Sequence, residues 1–311
     1  MSAIPASRHF TLEPLAEGVW AAIHRPGGWA VGNAGIVDLG DTTLVFDACI
    51  TAEAARDLAA AATALTGRPA SSLVLSHYHN DHVRGAEVFP GATLIATSRT
   101  RDLIDTFGRE ELASDIEHGG AQLARAAAMA DDDDPRIRSF AAYFTPYWEG
   151  LVASAPHATL RLPEVTFEDR LTLHGTRRTV QVVSLGAAHT PDDAVLVLPD
   201  DGVVFCSDLL FVGCHPFLAD GEPDGWLRAL EVLAAYAPAR FVPGHGPVGS
   251  ADDVDALASH IRALEATAAR LHGEGASPDD LERLLPADGS SVWEFAYPFY
   301  RSNVRFLLGR M

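Results

Sequence analysis

Lysine is absent from the 311 residues, and all 23 basic side chains are arginine. They are outnumbered by 42 acidic side chains, so the formal net charge is −19 at pH 7. An electrostatic field of that sign repels phosphate backbones and anionic lipid surfaces. We therefore expect a small-molecule substrate, and neither a nucleic acid nor a membrane as a partner.

Cysteines and long apolar runs are also scarce. The three cysteines, Cys49, Cys206 and Cys214, are odd in number and lack paired spacing, which is typical of reduced thiols in a cytoplasmic protein. No run approaches the roughly 18 apolar residues of a membrane-spanning helix. The opening eight residues show no charged segment followed by an apolar core, so we expect no signal peptide and a cytoplasmic location.

The order of apolar segments predicts one α/β body with helical additions. Short apolar runs broken by Gly and Asp indicate strands, and longer Ala- and Leu-rich stretches indicate helices. We predict a single domain over 1–311, with a helical insert at about 99–155 and a helical C-terminal extension at about 251–311. The predicted strands are 19–23, 35–39, 42–47, 72–75, 92–97, 166–173, 179–185, 194–198, 203–207 and 240–242; the predicted helices are 51–66, 224–237, 251–272 and one that starts at 277–278.

A dense cluster of polar side chains follows the predicted strand 72–75, where the chain reads Ser-His-Tyr-His-Asn-Asp-His over residues 76–82. His77 and His79 lie two residues apart, so on an extended segment both point to the same side and can bind one ion. Asp81 and His82 turn over the loop toward a neighbouring site. Imidazole nitrogen and carboxylate oxygen are suitable ligands for zinc, manganese or iron.

Three further candidate ligands stand at predicted strand ends. They are His189 in Gly-Ala-Ala-His-Thr-Pro, Asp208 in Phe-Cys-Ser-Asp-Leu-Leu, and His245 in Val-Pro-Gly-His-Gly-Pro. Gly and Pro suit a loop whose backbone must bend close to an ion. Of the remaining histidines His24 stays undecided, and packing or surface roles are expected for His9, His118, His157, His174, His260 and His272.

This ordered set of motifs resembles the metallo-β-lactamase superfamily over roughly residues 12–249. The resemblance implies a four-layer αββα sandwich with two divalent metal ions at one edge. Asp47, at the end of its predicted strand, matches an acid of the family that orients the ligands. The implied ligands are His77, His79 and His189 for the first metal, and Asp81, His82 and His245 for the second, with Asp208 bridging the two.

The resemblance also implies a chemistry. Two divalent ions, zinc in the first place and manganese or iron as alternatives, can share a water and lower its pKa. The expected enzyme is a binuclear metal-dependent hydrolase that uses a metal-bridging hydroxide to cleave an ester, lactone or amide bond in a small molecule. Asp81 and Asp208 are its catalytic residues, Asp81 because it can orient the hydroxide and pass a proton to the leaving group.

Departures from the better-known branches leave alternatives open. Glyoxalase II-like and lactonase-like sequences usually read His-Thr-Pro-Gly-His where this chain has His-Thr-Pro-Asp-Asp at 189–193. Ser207 replaces the Gly that commonly precedes the bridging Asp, a change we expect to be tolerated. β-Lactam hydrolysis and iron-dependent redox chemistry on persulfide or oxygen are the alternative activities. The diiron oxygen-reducing branch typically has Glu in place of His79, which argues against that activity.

The edge of a substrate pocket can be sketched from the loop that begins at His24. Trp29 in this loop is a candidate to cover an apolar substrate, and Tyr78 and His215 are candidates to reach the reacting group. The alternative for each of them is that the ring only packs against its neighbours. The aromatic-rich segments 140–148 and 293–306 are compatible with core, pocket wall, lid or a homodimer contact, and the sequence does not separate these readings.

Overall fold

A computed structural model describes residues 6–276, 280–281, 284, 286, 290–294 and 296–311. The helix start predicted at 277–278 lies outside the described residues. Within them, seven strands form the first sheet, in the spatial order in which they occur along the chain. The first four strands pair antiparallel and the last three add in parallel. They are β1 (Phe10–Ala16), β2 (Val19–His24), β3 (Ala34–Asp38), β4 (Thr43–Phe46), β5 (Ser72–Val74), β6 (Thr93–Thr97) and β7 (Val165–Phe167).

The second sheet contains five strands of the described chain, in the order β12-β11-β10-β9-β8. Its neighbours are antiparallel except for β11 and β12, which run parallel. The strands are β8 (Arg170–His174), β9 (Thr179–Ser184), β10 (Ala194–Leu198), β11 (Val203–Phe211) and β12 (Arg240–His245).

The helices begin and end at residues with recognisable capping chemistry. Thr51 accepts a hydrogen bond from the backbone of Ala54 at the start of the first long helix, and Gly67 ends it in the left-handed conformation. None of the described helices is both long and apolar enough to cross a membrane. The α-helices given by the described residues are α1 (Ala52–Thr66), α2 (Asn80–Val83), α3 (Ser98–Leu103), α4 (Arg109–Ala128), α5 (Pro135–Ser154), α6 (Pro223–Ala235), α7 (Ala251–Glu274) and α8 (Ala296–Leu308).

Three layers of apolar side chains hold the sheets and helices together. Between the two sheets, the rings of Phe46 and Phe205 lie 5.9 Å apart. Helix α1 packs on the outer face of the first sheet through Leu58 and its neighbours. Helices α6 and α7 pack on the outer face of the second sheet, where Trp226 is fully buried. The resulting order is helix, sheet, sheet, helix, so the predicted αββα sandwich is confirmed.

Two strand predictions were incomplete. Strand β1 was missed because Glu13 and Pro14 interrupt its alternation; Pro is tolerated at this edge of the sheet. The single strand predicted at 166–173 is in fact two, because the chain turns at 168–169 and leaves the first sheet for the second.

Candidate active site

The candidate ligands come from both sheets and meet at one edge of the sandwich. The first sheet supplies the segment after β5 and the short helix α2, and the second supplies the β9–β10 loop, the middle of β11 and the end of β12. Metal-binding atoms in each of two groups lie within 4.8 Å of one another. The first group is His77, His79, His189 and Asp208, and the second is Asp81, His82 and His245.

The backbone is bent to bring these side chains together. Asp47 and Ser207 have positive φ values of 61° and 48°, a conformation that L-residues rarely adopt outside special sites. Gly244 lies so close to Asp208 that a Cβ there would be 1.8 Å from its Oδ1. The Gly before His245 is therefore required for a close approach of β12 to β11.

In the first group, three imidazoles converge around one carboxylate. His189 Nε2 lies 3.0 Å from His79 Nδ1 and 3.3 Å from Asp208 Oδ2. His77 Nε2 is buried, and no atom of the described residues hydrogen-bonds to it. A buried nitrogen without such a partner is costly, and a set of imidazole and carboxylate lone pairs is the coordination chemistry of divalent zinc, manganese or iron. The residues therefore fit a metal ion.

The second group is joined to the first through Asp208. His82 Nε2 lies 3.0 Å from Asp208 Oδ1, and His245 Nε2 lies 3.3 Å from Asp208 Oδ2. Asp81 Oδ2 is 3.3 Å from His245 Nε2 and 3.4 Å from His82 Nε2. Asp208 thus contacts members of both groups, which is the geometry that a bridging ligand needs.

Two carboxylates outside the groups orient the imidazoles. Asp47 Oδ2 accepts from His82 Nδ1 at 2.9 Å and from Ser207 Oγ at 2.8 Å, while its Oδ1 accepts from the Ser76 backbone at 2.9 Å. Asp220 Oδ2 lies 3.0 Å from His79 Nε2, so it can fix the tautomer that leaves Nδ1 to face the site. The sequence pointed to Asp47 only through the resemblance and did not point to Asp220, which lies 141 residues from His79.

Burial and neighbouring charges shift the pKa values of the ligand histidines in opposite directions, and within the first group Asp220 outweighs burial and raises the pKa of His79. Burial lowers the pKa of His189 to about 3, and the pKa of His77 also lies well below its ordinary value. Burial opposes the charged form of His245 too, but the carboxylates of Asp208 and Asp81 outweigh it and raise its pKa to about 9. Burial opposes ionisation of Asp81 and Asp208, but the imidazoles of His82 and His245 outweigh it and hold the pKa of both carboxyl groups well below the usual range. Both carboxylates are therefore ionised and available to a cation.

Comparison with known proteins places this geometry in a family. The model of the metallo-beta-lactamase superfamily matches residues 27–245. The chain belongs to the metallo-β-lactamase superfamily. Metal-dependent hydrolases are among the members of this superfamily.

The relatives that match are distant. A linear primary-alkylsulfatase of Pseudomonas sp. (strain ATCC 19151) is 21% identical over 269 residues, which are 79% of this chain and 48% of that protein. The chain therefore spans about half the length of this curated relative. Among solved structures, a metallo-β-lactamase from Pontibacter korlensis is 17% identical, with a TM-score of 0.58 over 81% of this chain and 99% of its own. The mono-zinc form of a metallo-β-lactamase from Pseudomonas aeruginosa is also 17% identical, with a TM-score of 0.58 over 84% and 98% of the two chains.

The loop that carries His189 contains Asp193 at the position where glyoxalase II-like and lactonase-like sequences usually have His. Asp193 accepts hydrogen bonds from the backbone N–H and the hydroxyl of Thr190, both at 2.8 Å. Burial raises the pKa of Asp193 to about 7. Asp193 thus holds the turn after His189 and stands apart from both ligand groups.

The two ligand groups lie beside two neighbouring cavities, and Val31, Tyr143 and His245 line both of them. The smaller, of about 240 Å³, is lined by ligands of both groups, by Glu111 and Asp220, and by aromatic side chains of α5 and α8. The larger, of about 700 Å³, extends from His245 between the His24 loop, α5 and residues 291–294. Part of the aromatic-rich segment 140–148 is therefore pocket wall.

The three predicted pocket residues lie elsewhere. The Trp29 ring packs on Arg8, whose guanidinium lies 4.2 Å from the ring centroid, and against Gly150 of α5. Tyr78 is buried and donates its hydroxyl to Asp220 at 2.9 Å, so it supports His79 indirectly. His215 is fully buried beside His260 and Trp293. None of the three lines either cavity; the His24 loop does so through His24, Pro26, Gly27 and Val31.

Proposed function

We propose that this enzyme is a binuclear hydrolase of small, uncharged molecules that carry an ester, lactone or amide bond. The observation that carries the proposal is the position of Asp208, which contacts imidazoles of both ligand groups at 3.0–3.3 Å. His77, His79 and His189 would hold one ion, Asp81, His82 and His245 the other, and Asp208 both. Zinc is the first candidate for hydrolysis and manganese the alternative, whereas iron is the metal of the alternative redox chemistry.

The chain's own side chains supply positioning and proton transfer. Divalent ions held in these groups would supply a nucleophile by lowering the pKa of water, and would polarise the bond under attack. Asp81 lines the smaller cavity, where it can orient an attacking water and carry a proton to the leaving group. Glu111 lines the same cavity, and burial raises its pKa to about 7, so it can exchange protons near neutral pH.

The walls of the cavities support an uncharged substrate with an apolar part. Tyr143, Phe144, Tyr147, Phe211 and Phe217 surround the smaller cavity. The acids that line it, together with the net charge of −19, disfavour anionic substrates. Nucleic acids and membranes are disfavoured as partners for the same reason. The cytoplasm stays the predicted location, in keeping with three free, buried cysteines. A homodimer also stays a prediction.

A second candidate is hydrolysis of a sulfate ester on an alkyl chain. It is favoured by the match to an alkylsulfatase and by apolar side chains that line the larger cavity, such as Ile23, Val31 and Phe140. Arg136 on the same wall would have to leave its ion pair with Asp134 to bind a sulfate group. A sulfate ester is anionic, whereas the substrate of the first candidate is uncharged. The charge of the preferred substrate therefore distinguishes the two candidates.

The first test is elemental analysis of protein purified without chelator or added metal. About two zinc or manganese ions per chain support the proposal, whereas iron favours redox chemistry on persulfide or oxygen. Absence of metal after reconstitution contradicts it. Metal-loaded protein is then assayed with p-nitrophenyl butyrate, a γ-lactone, octyl sulfate and a chromogenic β-lactam. Asp208→Ala and His189→Ala should abolish turnover, while the exposed control Glu117→Gln should retain it; full activity in either site variant refutes the proposal.

A further inference from the structure

The loop that begins at His24 is fastened to the loop that carries His245. Asn33 Oδ1 accepts a hydrogen bond from the His24 backbone N–H at 2.8 Å. The Asn33 side chain also donates to the carbonyls of Pro243 and Gly246, both at 2.9 Å, and its backbone N–H donates to Gly244 at 2.8 Å. Asn33 therefore fixes the position of His24 relative to the metal-site edge.

The hydrogen bonding of His24 defines its tautomer. The backbone N–H of Val31 donates to His24 Nδ1 at 3.1 Å. A backbone N–H can only donate, so Nδ1 carries no proton and the neutral ring carries its proton on Nε2. Val31 has a φ of 67°, which is unusual for a β-branched residue. The unusual backbone conformation of Val31 thus directs its N–H toward Nδ1 of the His24 ring.

The opposite edge of His24 belongs to the larger cavity. The imidazole lines that cavity together with His245 and Tyr143, whose ring centroid lies 6.0 Å from that of His24. Among the described residues, none accepts a hydrogen bond from His24 Nε2. Burial lowers the pKa of His24 to about 4, so the ring stays a neutral donor at pH 7.

We propose that His24 is a specificity-determining residue whose Nε2–H donates to an acceptor oxygen on the substrate arm that fills the larger cavity. The inference rests on the proposed hydrolase function and narrows its substrate class. Preferred substrates carry, besides the scissile bond, an uncharged ketone, ether or hydroxyl oxygen on a mostly apolar arm. The remaining walls, Ile23 and Val31 among them, pack against the carbon atoms around that oxygen.

The kinetic test uses pairs of p-nitrophenyl esters with five to eight acyl carbons, in which one member of each pair has a ketone in place of an arm methylene. Wild type should prefer the keto ester at one or two lengths through a lower KM. His24→Phe should raise KM for those esters by about two- to tenfold, the value of one neutral hydrogen bond, with kcat nearly unchanged. His24→Gln keeps a donor and should restore part of the preference, and the exposed control His118→Gln should behave as wild type.

A second measurement is independent of turnover. Histidine labelled with ¹⁵N should show His24 protonated at Nε2 from pH 5.5 to 8, and titration with 2-octanone should shift this resonance, whereas 1-octene should not. A proton on Nδ1, or no keto preference at any acyl length, overturns the assignment. If no ester is hydrolysed but 2-octanone still shifts His24, the proposed reaction fails while the donor site stands.

Discussion

Removal of the Asp220 carboxylate should weaken one metal site selectively. Asp220 holds His79 Nε2 at 3.0 Å and belongs to neither ligand group. In Asp220→Ala the imidazole loses the partner that fixes its tautomer and direction. Loss of such a supporting carboxylate typically costs 10- to 100-fold in metal affinity, which corresponds to about 1.4–2.7 kcal/mol.

Because Asp220 supports only the group of His77, His79 and His189, the two binding steps should separate. Competition with a chromophoric chelator should show one step weakened by about 10- to 100-fold and the other unchanged. Asp47→Ala should weaken the other step, because Asp47 holds His82 in the second group.

Two controls separate orientation from general damage. Tyr78→Phe removes only the 2.9 Å hydrogen bond to Asp220 and should change affinity by less than about threefold, since the carboxylate remains. Glu117→Gln removes one exposed negative charge and should change nothing. The reasoning is refuted if Asp220→Ala keeps wild-type affinity for both ions, or if both steps weaken equally while thermal unfolding is unchanged.

Three other perturbations have defined outcomes. Ser207→Gly relieves a positive φ, worth about 1 kcal/mol, but removes buried hydrogen bonds to Asp47 and Ser76, each of similar size; urea melts should therefore show a loss of about 1 kcal/mol while affinity for the second metal falls, and unchanged or raised stability would contradict this. Trp29→Ala should lower the Tm but leave KM unchanged, because the ring packs on Arg8 and not in a cavity; a raised KM would restore the flap role expected from the sequence. For metal-free protein, the pKa of His245 is raised from 6.5 to about 9, so its stabilising charge is fully present below pH 6.5 and is lost as pH rises through 9. Calorimetry should show a Tm that falls between pH 7 and 10 without metal, and a flat Tm there without metal would argue against this.

The sequence was sufficient to pick out the candidate ligands because each of them stands in a short, distinctive motif. His77 to His82 lie in one short segment, and His189, Asp208 and His245 stand at strand ends in distinctive Gly- and Pro-containing contexts. The structure brings all seven together. Periodicity likewise predicted most strands, since their buried faces are short apolar runs.

The supporting and pocket residues depended on tertiary geometry. Asp220 and Asn33 have ordinary neighbours in sequence and become important only across separations of 141 and 210 residues. Trp29 was assigned to the pocket because its loop lies between early strands, and His215 because it follows Asp208 closely. The path of each loop decides which way its ring points, and the sequence does not give that path. The role of His24 was left undecided from the sequence, and the structure places this residue in the wall of the larger cavity.

Each ligand group draws on both halves of the sandwich. The first sheet gives His77 and His79 to the group completed by His189 of the second sheet, and the second group is divided in the same way. An ion bound in either group would thus act as a crosslink between the two sheets. Free metal at a hundredfold its Kd would add about 2.7 kcal/mol to folding. Chelation should therefore weaken the contact between the two sheets at this edge and lower the stability of the fold as well as remove activity.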